Sequence, residues 1–153
     1  MIPRRKGLNH RALNPHQRAT QYTQEIVNAM IRARDEGKPC VSCGKPRKLY
    51  AGHFRVSTYG RTRYHPMNLH GQCNDCNGYN GGRTFEYGKA LDRMYGHGAA
   101  DFLEVLSRPI EQWSTEELGT LRAAARRGAK VYEQMYYELR PHHRFMSSAF
   151  GQQ

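Results

Sequence analysis

The sequence predicts an α+β chain in which a small two-stranded core, stapled by a metal ion, lies between one N-terminal helix and a set of C-terminal helices. Three observations carry this. All four cysteines fall into two Cys-x-x-Cys pairs, Cys40/Cys43 and Cys73/Cys76, with 29 residues between them. Apolar residues recur at three- and four-residue steps on both sides of that stretch and lose the period inside it. Residues 40 to 82 also contain few apolar side chains, so a bound ion must supply folding free energy that burial there does not.

The elements follow in order. Residues 1 to 14 are basic, have no hydrophobic period, and are expected to form a flexible arm. A helix is expected over residues 15 to 37: Asn14 caps it, Pro15 suits its first position, and Ala19, Tyr22, Ile26, Ala29, Met30 and Ala33 repeat at helical steps. Gly37 can take the left-handed backbone that ends it, and Pro39 blocks continuation. The core is expected over residues 38 to 95. Within it, residues 49 to 56 read as a strand whose period of two puts His53 and Arg55 on one face and Tyr50, Phe54 and Val56 on the other. A second extended piece is expected over residues 67 to 72, after a loop carrying Arg61, Arg63 and His65. Phe85, Ala90, Leu91, Met94 and Tyr95 then mark a short helix.

Residues 96 to 140 form the C-terminal helical region. Ala100, Phe102, Leu103, Val105 and Leu106 suggest a helix after the flexible Gly96-His97-Gly98. Ser114 with Glu117 is a capping box that opens what reads as the longest helix. Leu118, Leu121, Ala125, Gly128, Tyr132, Met135 and Leu139 repeat along it with a seven-residue period. That seam fits antiparallel packing on the N-terminal helix, or a dimer. Residues 141 to 153 read as a frayed tail.

Charge narrows the partners. The chain of 153 residues carries 24 Lys and Arg against 13 Asp and Glu, a net +11. Residues 37 to 74 contain no acid and seven bases, Lys38, Lys45, Arg47, Lys48, Arg55, Arg61 and Arg63. A window of one sign that long favours a polyanion, because each neutralised phosphate releases counterions, so DNA is the expected partner. No apolar run approaches the ~18 residues of a membrane span, and MIPRRKGLNHR lacks the apolar stretch of a secretory leader. The cytoplasm is the expected compartment, and nothing in the pattern asks for an organic cofactor.

In a reducing cytosol two Cys-x-x-Cys pairs are a tetrahedral thiolate site for zinc, with Cys40, Cys43, Cys73 and Cys76 as ligands. The competing readings are a redox pair, inert core thiols and an iron–sulfur cluster. A site closed by four cysteines is structural. A knuckle, two strands and a helix start around one zinc make the layout of a treble clef. Between the knuckles stands His53, on the face of Arg55 and inside the basic window. An imidazole can take a proton from water while an arginine holds the phosphate under attack, and a divalent cation would neutralise the charge that builds.

The run Cys40-x-x-Cys43, Ala51-Gly52-His53-Phe54, Asn68-Leu69-His70-Gly71-Gln72-Cys73-x-x-Cys76-Asn77 resembles the HNH, or His-Me finger, endonucleases, and within them the phage NinG (Rap) recombination proteins. The resemblance covers roughly residues 20 to 140 and is most specific over 40 to 77. Its order of motifs is also similar to that of the endonuclease VII resolvases. It implies a ββα-metal core, His53 as general base, Asn68 fixing the loop that presents it, and Asn77 ligating a catalytic Mg2+ or Mn2+. It further implies a phage-encoded homodimer cutting branched DNA, such as Holliday junctions and D-loops, in the host cytoplasm. Many HNH enzymes carry an Asp where this chain has Gly52, which leaves the second cation ligand open. His70 is the candidate, with Asn80 and Asp75 weaker ones. Arg55, Arg61, Arg63, Lys45, Arg47 and Lys48 are expected to contact DNA. A zinc-stabilised DNA-binding protein without catalysis, and a zinc-ribbon protein-interaction domain, are the alternatives.

Overall fold

The computed structural model describes residues 12–147. Most of the arm expected at the N-terminus, and the end of the tail, lie outside those residues. The described chain is α+β, mostly helical, with one two-stranded sheet. Among the described residues no helix is long and apolar enough to cross a membrane.

Helix α1, Pro15–Arg34, starts where the sequence places it, with a reciprocal cap. Asn14 Oδ1 accepts from Gln17 N at 2.8 Å and Gln17 Oε1 accepts from Asn14 N at 3.0 Å. Its buried stripe is Thr23, Val27, Met30 and Ile31, one step round from the expected face. Tyr22 stays half exposed because Arg122 and Arg126 cover its ring, at 5.3 and 5.7 Å.

Strands β1, Leu49–His53, and β2, Leu69–Cys73, pair antiparallel, with Leu49 opposite Cys73 and His53 opposite Leu69. Both are shorter or later than expected. β1 ends at His53 because Asn68 takes over the ladder: its carbonyl accepts from Phe54 N at 2.9 Å and its side-chain oxygen from Arg55 N at 2.7 Å. A 3-10 turn, Pro66–Asn68, precedes β2, capped by His65 Nδ1, which accepts from Met67 N. His65 is thus a fully buried residue and not an open loop.

The second cysteine pair leads into a π-helical turn, Asp75–Tyr79, and helix α2 begins only at Thr84–Tyr95. Asn77 therefore stands on the turn, separated from α2 by Gly81, Gly82 and Arg83, all at positive φ. Helix α3, Ala99–Ser107, packs with α2 around Tyr87, Leu91, Ala99 and Leu103.

The expected longest helix is two: α4, Thr115–Arg127, and α5, Ala129–Leu139, broken at Gly128. Gly128 has φ 115° and ψ 168°, a conformation that is essentially glycine-only. The capping box at Ser114 and Glu117 is present. The apolar seam survives the break, since Leu118, Leu121, Ala125 and Tyr132 are buried against Val27 and Ile31 of α1. Within the chain, packing on the N-terminal helix is what this seam does. Residues after 140 do not fray at once: Pro141–His143 is a 3-10 turn whose His143 is fully buried, accepting from His65 Nε2 through its carbonyl at 2.8 Å.

Candidate active site and metal centre

The four cysteine sulfurs converge, all lying within 4.8 Å of one another. Gly44, at φ 71°, gives the first knuckle its turn, and its N–H donates to the Cys40 carbonyl at 2.8 Å. Backbone N–H groups then face sulfur: Cys73 N donates to Cys40 Sγ at 3.3 Å. Burial raises the Cys40 thiol pKa, but backbone donors at Cys43, Cys73 and Ser42 outweigh it and bring the value down to about 7. Cys76 is pushed up by burial and by the neighbouring thiols. Four thiolates this close repel one another until a cation joins them, and a set of four sulfurs could hold a metal such as zinc.

A second group, Glu111, His142 and His143, is equally close but already occupied. The Glu111 carboxylate pairs with Arg61 and Arg140, each at 2.6 Å, and His143 Nδ1 meets the Tyr136 hydroxyl at 2.8 Å. Two guanidiniums on the one carboxylate repel an incoming metal ion, so this group is a structural charge network.

Beside the cysteine centre, β1 and the π turn border a cleft of about 500 Å³ lined by His53, Arg55, Tyr59, Asn77, Gly82 and Thr84, among others. His53 and Asn77, 24 residues apart in sequence, face the same space. His53 Nε2 donates to the Arg63 carbonyl at 3.1 Å, which leaves Nδ1 as the nitrogen with the lone pair. Burial, more than the nearby Arg63 charge, pulls the His53 pKa down to about 4, so the ring is neutral at physiological pH. Asn68 is fully buried. Its amide donates to the carbonyls of Arg55 and Thr62, both at 2.9 Å, and its oxygen accepts from Arg55 N.

The other expected site residues divide. Arg55 lines the cleft, steadied by the Tyr59 ring at 4.9 Å and by Ser107 Oγ at 3.3 Å. Arg61 is held by Glu111. The Arg63 side chain donates to Gln24 and to the Ser57 carbonyl. Both arginines therefore brace the loop, and neither has a free guanidinium over the cleft. Lys45, Arg47 and Lys48 lie exposed on the knuckle side; Arg47 pairs with Asp75, and Lys45 and Arg47 flank the cysteines. Asn80 closes its own turn on the Asp75 carbonyl.

His70 does not join His53 and Asn77. It is buried between the sheet and α2, with Nδ1 on the Tyr87 hydroxyl at 3.1 Å and Nε2 on the Tyr95 hydroxyl at 2.7 Å. The expectation that it shares a face with Asn68 fails because Asn68 belongs to a 3-10 turn, out of strand register. Both ring nitrogens are spent, so it has no lone pair to offer a cation.

Sequence reasoning missed Asp35. Its nearly buried carboxylate is gripped by Arg34 at 2.8 Å and by Gly71 N at 2.8 Å, while Arg34 also donates to the Leu69 carbonyl at 2.7 Å. The end of α1 is thereby locked to β2. The only signal was position, the last acid but one before the acid-free window.

The family model described as Bacteriophage Lambda NinG protein matches residues 4–134. The chain belongs to the NinG family. Protein ninG of Salmonella phage P22 is 34% identical to it over 115 residues, 73% of this chain and 56% of that protein. Protein ninG of Escherichia phage lambda is 33% identical over 115 residues, with 73% and 56% covered. Protein ninG of Enterobacteria phage H19B is 32% identical over 122 residues, with 78% and 60% covered. The chain thus spans little more than half the length of these NinG relatives. No solved structure matches it.

Proposed function

We propose that this NinG-family chain is a metal-dependent DNA endonuclease of the HNH type, cutting branched recombination intermediates such as Holliday junctions or D-loops. On this reading β1, β2 and α2 are a ββα-metal core, the four cysteines hold a structural zinc, and the protein is phage-encoded and works as a homodimer in the host cytoplasm. The observation that carries the reading is the shared cleft of His53 and Asn77, with a neutral imidazole whose Nε2 is anchored on the Arg63 carbonyl.

The chemistry follows from those groups. His53 Nδ1 takes a proton from water, the resulting hydroxide attacks the phosphorus in line as the P–O3′ bond breaks, and the departing 3′-oxygen takes a proton from solvent water, leaving a 5′-phosphate and a 3′-hydroxyl. Arg55, the guanidinium at the cleft, holds a non-bridging phosphate oxygen. The Asn77 carboxamide suits a hard divalent cation, Mg2+ or Mn2+, whose charge would stabilise the phosphate as negative charge builds. Asn68 keeps the Arg55 backbone and the Thr62 loop in place, so that base and phosphate meet at one distance.

One observation favours a second reading, a DNA-binding protein without catalysis: among the described residues, none that lines the cleft is a carboxylate. Nicking of a synthetic four-way junction with Mg2+, Mn2+ or EDTA decides between them. The zinc-loaded wild type should cut with either cation. His53→Ala should cut at least about a thousandfold more slowly while binding the junction within a few-fold of wild type, and undiminished cutting by that variant would overturn the assignment.

A further inference from the structure

One polar atom beside the cleft has no partner. Gln72 on β2 is fully buried, at 0% exposure. Its Nε2 donates to the Gly82 carbonyl at 2.6 Å and reaches Ser42 Oγ at 2.7 Å. That pair of bonds fixes the amide, because a carbonyl cannot accept from a carbonyl, and Oε1 is then left without a protein donor among the described residues. Native folds seldom leave such an oxygen unsatisfied, and where they do, an ion is among the usual reasons.

The place of this oxygen gives it meaning. A Cβ built on Gly52 would stand 2.2 Å from Oε1, so the Gln72 amide fills the space a side chain at 52 would take, immediately before His53. On its other side the same amide holds Gly82, which lines the cleft with His53 and Asn77. The oxygen is therefore bracketed by the strand that carries the base and by the loop that follows Asn77. Gln72 precedes Cys73 in the chain and its amide nitrogen reaches Ser42 within the first knuckle, so the amide is tied to the cysteine centre.

We propose that Gln72 Oε1, together with Asn77, ligates the divalent cation; the proposal rests on the nuclease reading above and names the residue that reading leaves open. Two neutral carboxamide oxygens suit Mg2+ or Mn2+, which keep water and phosphate oxygens as their remaining ligands, and do not suit zinc, which prefers sulfur and imidazole. Without a carboxylate the site binds its cation weakly alone and more tightly once DNA phosphate is present.

The test uses the zinc-loaded full chain bearing His53→Ala, so that a four-way DNA junction stays intact during a Mn2+ titration followed by electron paramagnetic resonance. Adding Gln72→Leu or Asn77→Ala should weaken Mn2+ binding to the protein–junction complex tenfold or more, with zinc content and cation-free junction binding unchanged. Gln72→Glu should bind Mn2+ as tightly as the parent or more so. A Gln72 that only braces Gly82 and Ser42 would make Glu as damaging as Leu, since both lose the Nε2 donor. The proposal is overturned if Gln72→Leu binds Mn2+ like the parent, if Gln72→Glu fails as Leu does, or if the parent complex binds no Mn2+. Failure of the nuclease reading shows separately, as an absence of junction cutting when His53 and Gln72 are both intact. Cutting that survives Gln72→Leu unchanged sinks only the ligand.

Discussion

His53 sits at the last position of β1, where one backbone bond decides which nitrogen is free. The Arg63 carbonyl accepts a hydrogen bond from Nε2–H, which keeps the proton there, and burial keeps the ring from gaining a second one. We expect its Cε1–H resonance in the zinc-loaded protein to stay nearly constant between roughly pH 5.5 and 8, where an ordinary histidine near 6.5 titrates. Burial penalises the charged form of the ring, so the neutral form is lost only as pH falls toward about 4. A midpoint near 6.5 would show that the ring is solvated and the cleft differently built. Asn68 supports this geometry with three bonds in one buried side chain. Asn68→Ala strands the Arg55 backbone and the Thr62 carbonyl, and should cost about 2–3 kcal/mol in urea unfolding. On the proposed nuclease reading, cutting should fall further than the stability loss explains, because the loop it releases carries Arg55, the guanidinium proposed to hold phosphate. His53 and Asn68 were legible from the sequence as motif positions, because motif order is local. Gln72 and His70 were not, since their roles depend on where strand register aims two neighbouring side chains.

Among the elements, the break between α4 and α5 is held by a single residue. At φ 115° and ψ 168° Gly128 occupies backbone space that alanine enters only with strain, so Gly128→Ala should destabilise the fold by about 1–3 kcal/mol, read by urea denaturation with zinc bound. A gain in stability would mean that the two helices can fuse into one. The seven-residue period disguised this turn, because the apolar seam continues through it: Leu118, Leu121 and Ala125 before the break and Tyr132 after it pack on α1. Periodicity reports which face is buried and says nothing about whether the backbone between is helical. The same limit explains α1, whose true stripe of Thr23, Val27, Met30 and Ile31 includes a polar residue. Thr23 is tolerated there because its hydroxyl donates to the Ala19 carbonyl at 2.7 Å and accepts from Arg122 at 2.8 Å. At the other end of α1, Asp35→Asn removes a charge gripped by Arg34 and Gly71 N. The expected loss is about 2–3 kcal/mol, below that of a fully buried pair because the Arg34 side chain is 21% exposed.

Across the described residues, stability comes from two apolar clusters, one around α1, α4 and α5 and one around α2 and α3, and from a cysteine centre that barely overlaps with the first. The larger apolar cluster joins α1, α4, α5 and Trp113, and from residues 40 to 82 only Tyr64, Leu69 and the half-buried Ala51 reach it. The cysteines form a cluster of their own, with Leu49 as its one further apolar side chain. This division was legible in the sequence as a loss of apolar residues between the knuckles. The buried network of His65, Tyr136, His143 and Glu111 that ties the third part of the chain to the loop was not, because its members are polar and far apart in sequence. The division has a measurable consequence. A chelator that strips a metal from the cysteine centre removes the bridge between the two knuckles and leaves, at Cys76, a thiol whose ionisation is opposed by burial and by its neighbours. The knuckles and the β1–β2 pair should then open, and slow amide exchange in β1 and β2 should vanish, while α1, α4 and α5 keep most of the helical circular dichroism. On the proposed nuclease reading, cleavage should disappear together with strand protection, because His53, Asn77 and Gln72 are placed by β1, the π turn and β2. Readdition of zinc should restore both. Loss of all helical signal in one step on chelation would show that the helices depend on the metal centre, and that the apolar cluster around α1 does not stand alone.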